Sequence, residues 1–309
     1  MFDFDPRDYA DERDREHEAI YDSRWGEDVR ERDERERELD PRDRDPRDPF
    51  VHGLDLPHGL ERELVHDERE HLYELNGEDS RMLATIGAFR VVAERDLDAV
   101  RDAYADPRDA TLDHLRDEGL IRFVQTDGNE RAAVLTDRGW DVLDAHRRDR
   151  DDGDQEFHAG LGRSRELKHD AQLFRAYLAV EKRLRDEGAE IERVVLERDL
   201  RRGYQEFLQE HNRDHPDSDG RPDRDQGEIE DWAREHDLPY FDDRVHLPDF
   251  RVEYDLDGRD RHEDVEVLTA HYRGAHAASR TQAGFTCFGG RGTSRGAAPF
   301  SPHDWEDWP

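Results

Sequence analysis

The sequence predicts a multi-domain chain: a small helical α+β unit, then an α/β unit, preceded by an N-terminal arm that builds no core. Three observations carry this. Only 33% of the 309 residues are hydrophobic while 42% are charged, and mean hydropathy is −1.20. Residues 76–150 alternate helical periodicity with one short hairpin. Residues 163–290 begin with a long helix and continue as strands of period two.

The apolar deficit is concentrated at the start. Repeats such as Asp40-Pro41-Arg42-Asp43 and Asp45-Pro46-Arg47-Asp48 cannot bury enough surface to offset chain entropy. Residues 1–72 are therefore expected to be a disordered or partly helical acidic, Arg-rich arm. The net charge of −34 opposes polyanion binding, because affinity for nucleic acid comes mainly from neutralising phosphates. Contact with DNA must then come from a local basic patch. The single Cys287 excludes an internal disulfide and a cysteine-based zinc site. No apolar run reaches the length of a membrane span, and the acidic start is unlike a signal peptide. A soluble, cytoplasmic protein without membrane partners is expected.

In the helical unit, 73–150, Ser80 is placed to cap a helix carrying Met82, Leu83, Ile86 and Phe89, followed by an extended Val91-Val92. A second helix is expected over 94–103. Asp106-Pro107 supplies an N-cap and a first-turn proline for a third, with Leu112 and Leu115 inward and Gly119 as the stop. A hairpin over 121–135 turns at Asp127-Gly128, and Thr136 caps a last helix with Trp140, Val142 and Leu143. Helix, helix, helix, hairpin, helix is the order of a winged helix-turn-helix. The third helix would read DNA and 126–131 would form the wing tip. Arg108 and Thr111 at the helix start, with Arg122 and Arg131 on the hairpin, are the expected DNA contacts. The outer face of that helix carries Asp113 and Asp117, which repel phosphates. Use of the unit for protein contacts therefore stays open beside duplex binding.

After an acidic, Gly-containing linker at 151–162, a helix over 166–186 presents two apolar rows, so it should lie on a sheet. A strand over 191–196 follows, then helices around 198–208 and 228–236 separated by a polar loop. The Asp residues of that loop, 217, 219, 223 and 225, lack EF-hand spacing. Pro248-Asp249 opens an alternating run, Asp257-Gly258 is a hairpin turn, and Asp264-Val265-Glu266 lies on the return strand. A two-residue turn pairs 256 with 259, which sets Asp249 opposite Glu266 and Arg251 opposite Asp264. Directly opposite residues share a face. Asp249, Asp264 and Glu266 then project together, while Phe250, Val252, Val265 and Val267 point the other way. Three clustered carboxylates are a candidate all-oxygen site for Mg²⁺ or Mn²⁺. A solvated hairpin face would give the same spacing. His169 and His262 are further candidates for a ligand or base, and Cys287 reads as a buried thiol. A short helix at 275–282, a strand over 284–288 and a flexible tail from 291 complete the chain.

With the two helices between 198 and 236 set aside as an insertion, the order is α, β, β, β, α, β. This resembles the core of restriction-endonuclease-like nucleases, whose motif places Pro-Asp on the second strand and Asp/Glu-x-Lys on the third. Pro248-Asp249 and Asp264-Val265-Glu266 fall at those places, with Glu266 where the motif has lysine. The resemblance implies catalytic and metal-binding roles for Asp249, Asp264 and Glu266 if the site is active, and the lysine's absence puts activity in doubt. Gln282 would match a polar position that contacts DNA in that superfamily. The stretches RELKHDAQLFRAY (165–177), RVVLERDLRRGYQ (193–205) and EDVEVLTAHYRG (263–274) are similar to bacterial mobile-element proteins resembling replication-relaxation proteins. Those join a winged helix to a nuclease-like domain. The resemblance implies DNA-associated work in plasmid or transposon replication or mobilisation.

Residues 271–300 contain no Asp or Glu and carry Arg273, Arg280, Arg291 and Arg295, so a phosphate backbone could run there. Three readings remain open: a DNA-binding protein with an inactive nuclease-like domain, a Mg²⁺-dependent endonuclease, and a module that binds proteins through its winged helix or acidic arm.

Overall fold

The computed structural model describes residues 49–67, 69–100, 111–126, 130–148, 155–161, 167–210, 224–268, 283–288, 293–295 and 298–300. Among them the fold is mixed α and β, with six α-helices and several small sheets. No helix among these residues is long and apolar enough to cross a membrane.

Part of the expected arm is built into the fold. Phe50, Leu54 and Leu56 are buried, and β1 (Glu63–His66) pairs antiparallel with β2 (Leu72–Leu75). Asp67 closes that hairpin: its carboxylate accepts from the backbone N–H groups of Arg69 and His71 and from the Tyr73 hydroxyl. Val65 and Tyr73 are thereby directed inward, and Leu64 and Leu72 outward. Part of the stretch expected as an arm thus contributes to the core.

The next helix, α1 (Gly77–Phe89), starts from a different cap than Ser80. Asn76 accepts from the Asp79 N–H, and Asp79 accepts in return from the Asn76 N–H, forming a capping box. Ser80 lies inside the first turn. After β3 (Val92–Ala93) the chain makes a 3-10 turn over Glu94–Ala99. Helix α2 (Thr111–Asp117) ends near Gly119, whose φ of 75° accepts the left-handed conformation. Strands β4 (Ile121–Gln125) and β5 (Arg131–Leu135) pair antiparallel as the expected hairpin, Gln125 opposite Arg131, and β3 joins the far edge of β5. Thr136 caps α3 (Asp137–Ala145), accepting from the Gly139 N–H.

A four-stranded sheet follows, taking its strands in chain order: β6 (Glu190–Leu196), β9 (Phe250–Asp255), β10 (Asp260–Val267), β11 (Thr286–Phe288). The first three run antiparallel to their neighbours, and β11 is parallel to β10. Helix α4 (Leu167–Asp186) covers one face with Phe174, Tyr177, Val180 and Leu184. Phe250, Val252, Val265 and Val267 meet it from the sheet, all at most 2% exposed. Glu263 also lies on this side, held by Arg183 at 2.5 Å and by the Thr286 hydroxyl at 2.7 Å. Helices α5 (Glu197–Gln209) and α6 (Gln226–Glu235), with the small hairpin β7 (Tyr240–Phe241) and β8 (Arg244–Val245), form a satellite core. It is built on Trp232, Ala233, Leu238 and Leu247.

One hydrophobic core joins the two parts. The Phe89 ring meets Phe50 at 5.5 Å, Phe174 at 5.1 Å, Tyr177 at 5.0 Å and Phe250 at 6.4 Å. The described residues between them, 155–161, are anchored where a linker was expected. Phe157 and His158 are buried, and the Gln155 amide donates to the Val194 carbonyl (3.0 Å) and accepts from the Val194 N–H (2.8 Å). Gln155 thus pairs with the outer edge of β6 as a strand residue would. In the C-terminal stretch expected to be flexible, Thr293–Arg295 and Ala298–Phe300 form two short paired strands.

Candidate functional site

The β9–β10 hairpin takes the expected register, with Asp264 opposite Arg251 and Val265 opposite Phe250. Its turn is formed by Asp257 (φ 59°) and Gly258 (φ 72°), two positive φ values in succession, as a two-residue hairpin requires. One residue beyond the Val265–Phe250 pair, Asp249 comes level with Glu266. The strand pairing thus brings Asp264 across from Arg251, with Asp249 and Glu266 each one residue beyond its last pair.

Each of these acids is engaged within the protein. Asp264, whose side chain is 10% exposed, receives both prongs of the Arg251 guanidinium: Nε to Oδ1 at 2.7 Å and Nη2 to Oδ2 at 3.0 Å. Arg251 also donates from Nη1 to the His236 carbonyl (2.9 Å) and from Nη2 to the Asp237 carbonyl (3.0 Å). Those carbonyls sit at the end of α6, so Arg251 ties the insertion down over the carboxylate face. The bidentate geometry is among the strongest ion-pair arrangements available to a carboxylate. Asp249 Oδ2 accepts from the Val267 N–H at 2.6 Å and lies 3.1 Å from His169 Nε2. Glu266 is fully buried and stands beside Cys287 across the parallel β10–β11 pair. Among the described residues no group of three or more His, Cys, Asp or Glu side chains is gathered to hold a metal ion. The three acids do not converge: Asp249 turns to His169 of α4, whereas Asp264 is held by Arg251, which supplies the positive charge a cation would bring.

His169, in the first turn of α4, lies between Asp249 and Asp170, whose Oδ1 is 3.7 Å from Nδ1. Burial works to lower its pKa, but the hydrogen bonds and negative charge of Asp170 and Asp249 outweigh it and raise the value to about 10. A value so raised favours the imidazolium form of His169 at neutral pH, paired with the two carboxylates. His262 lies on β10 opposite Glu253. Cys287 is buried, its thiol 3.7 Å from the Phe285 carbonyl, in keeping with a structural thiol.

The structure separates the expected DNA contacts. Arg122 is exposed on β4. Arg131 is exposed but engaged: its guanidinium lies 4.0 Å over the Phe123 ring, and Nε is 3.1 Å from Glu94. Thr111 is 3% exposed, so its hydroxyl faces the interior rather than a phosphate. On α2, Arg116 is shared between Asp113 (2.6 Å) and Asp117 (2.8 Å), and His114 Nε2 turns to the Glu74 carbonyl at 2.7 Å. Arg108, Arg273, Arg280, Arg291 and Gln282 lie outside the described residues, as does the expected 275–282 helix. Sequence reasoning set Arg251 opposite Asp264 without assigning it a role. An Arg directly across a strand pair from an Asp was the available signal. The chain matches no family model, no curated protein and no solved structure.

Proposed function

We propose that this chain is a DNA-binding protein working with a mobile genetic element, and that its nuclease-like unit does not cut. The observation that carries this reading is the β9–β10 hairpin. Asp264 of the Asp-x-Glu pair stands opposite Arg251 and is closed by it and by the end of α6. A carboxylate so occupied is unavailable to a metal unless the α6 contact opens. The succession α4, β6, β9, β10, β11 supports a restriction-endonuclease-like ancestry. For the first unit, α1, β3, the 3-10 turn, α2, β4, β5 and α3 in that order support a winged helix. Arg122 on its hairpin would reach the phosphate backbone, with Arg108, Arg273, Arg280 and Gln282 as further contacts.

A salt series with a fluorescent duplex tests binding. The reading expects anisotropy to rise at low salt and to fall steeply as salt increases, with Arg122→Gln reducing the slope by roughly one counterion. Absence of binding at low salt would transfer the case to a second reading, a protein-interaction module. That reading is favoured by α2, whose Asp113 and Asp117 are 55% and 71% exposed and share a single Arg116.

A further inference from the structure

Away from the hairpin, a cleft of about 660 Å³ is lined by residues of α3, the 155–158 strap, β6, α5 and the end of α6. We propose that it binds a nucleotide-sized organic phosphate, with Arg147 and Arg202 as the anion clamp and Glu156 as the internal group that the phosphate displaces. The Glu156 carboxylate bridges the two guanidinium groups: Oε1 is 3.2 Å from Arg202 Nη2 and Oε2 is 3.7 Å from Arg147 Nη2. An acidic side chain thereby occupies the position an incoming phosphate oxygen would take. Glu156 is half exposed, so it can leave without opening the core.

The clamp is already oriented. Arg147 is 11% exposed, donates from Nη1 to the Gln155 carbonyl at 2.9 Å, pairs with Asp144 at 3.3 Å and lies 5.1 Å over the Phe157 ring. Arg202, on the solvent side, is steadied by Asp199 at 3.4 Å. Paired guanidinium groups recognise phosphate through charge-assisted bonds in fixed geometry. Arg193, itself held by Glu253 at 2.5 Å, adds a third cation to the lining. Leu200, Trp232 and Leu238 give the cleft an apolar side. A volume in the range of small-molecule sites, with apolar walls and convergent arginines, exceeds what inorganic phosphate alone would fill. The inference extends beyond the DNA reading, since none of the residues that line the cleft belongs to the β9–β10 hairpin or to the β4–β5 wing.

Calorimetric titration of the full chain at low salt tests it, with 2′-deoxyadenosine 5′-monophosphate as probe and deoxyadenosine and inorganic phosphate as comparisons. Wild type should bind the nucleotide saturably and about tenfold more tightly than either fragment. Glu156→Gln, which removes the competitor, should tighten binding about five- to tenfold, and Arg202→Gln should weaken it at least about tenfold. Gly203 lines the cleft, and a Cβ atom there would meet no atom within 4 Å. Gly203→Phe should therefore fold and block the site. The proposal is overturned by any of four outcomes: no nucleotide binding by wild type and Glu156→Gln alike; no tightening in Glu156→Gln; binding that Arg202→Gln and Gly203→Phe leave unchanged; or equal affinity for either fragment. DNA binding unaltered in Arg202→Gln would keep this result separate from the test of the DNA reading.

Discussion

Arg251 donates to both oxygens of Asp264 and to two carbonyls at the end of α6. Truncating it leaves a buried carboxylate and two acceptors without their donor. Arg251→Ala should cost about 3–5 kcal/mol in urea unfolding, the range for breaking a buried ion pair from one side. A loss under about 1 kcal/mol would mean that the pair is solvated and Asp264 accessible. At His169 the folded pKa of about 10 lies above the ordinary 6.5. Protonated His169 therefore stabilises the fold in full below about pH 6.5, and the contribution is lost as pH rises toward 10. The thermal midpoint of wild type should fall between pH 7 and 10, and His169→Gln should flatten that part of the curve. The facing of Arg251 and Asp264 was legible in the sequence because strand parity and an Asp-Gly turn fix which residues stand opposite one another. What each acid touches was not. The pairing of Asp249 with His169 spans 80 residues and depends on how α4 docks.

At the scale of elements, local signals were read where they suffice: the Thr136 cap, the Gly119 stop, the Asp257-Gly258 turn and the two apolar rows of α4. They failed where two candidates compete or where the partner is distant. Ser80 lost the cap to Asn76 because only Asn76 has an acceptor three residues on, Asp79, to return the bond. The 155–161 strap read as part of an acidic, Gly-containing linker, yet Gln155 satisfies both backbone groups of Val194 at the β6 edge. A side chain that substitutes for a neighbouring strand leaves no periodic trace. Gln155→Ala should expose that edge and cost about 1–3 kcal/mol, measurable by denaturant midpoint. Amide exchange at Val194 should quicken in the same variant while the β9–β10 amides stay protected.

For the whole molecule, Phe89 of α1 packs on Phe174 and Tyr177 of α4 and on Phe250 of β9, so the two expected units share a core. Calorimetry should accordingly record a single cooperative transition for residues 49–288, with calorimetric and van't Hoff enthalpies in agreement; two resolved transitions would restore independent domains. Composition extended the expected arm too far, since an average over 72 residues hides Phe50, Leu54 and Val65, which a distant core buries. The central claim is that the molecule has a nuclease's layout and binds DNA without cutting it. The most direct test is a gel-shift titration of purified full chain with duplex DNA in Mg²⁺ or Mn²⁺, each lane read for both retardation and strand integrity, with Asp249→Ala alongside. The account predicts retardation that weakens with salt and intact strands for both proteins. Cleavage by wild type that disappears in Asp249→Ala, or no retardation at low salt, would contradict it.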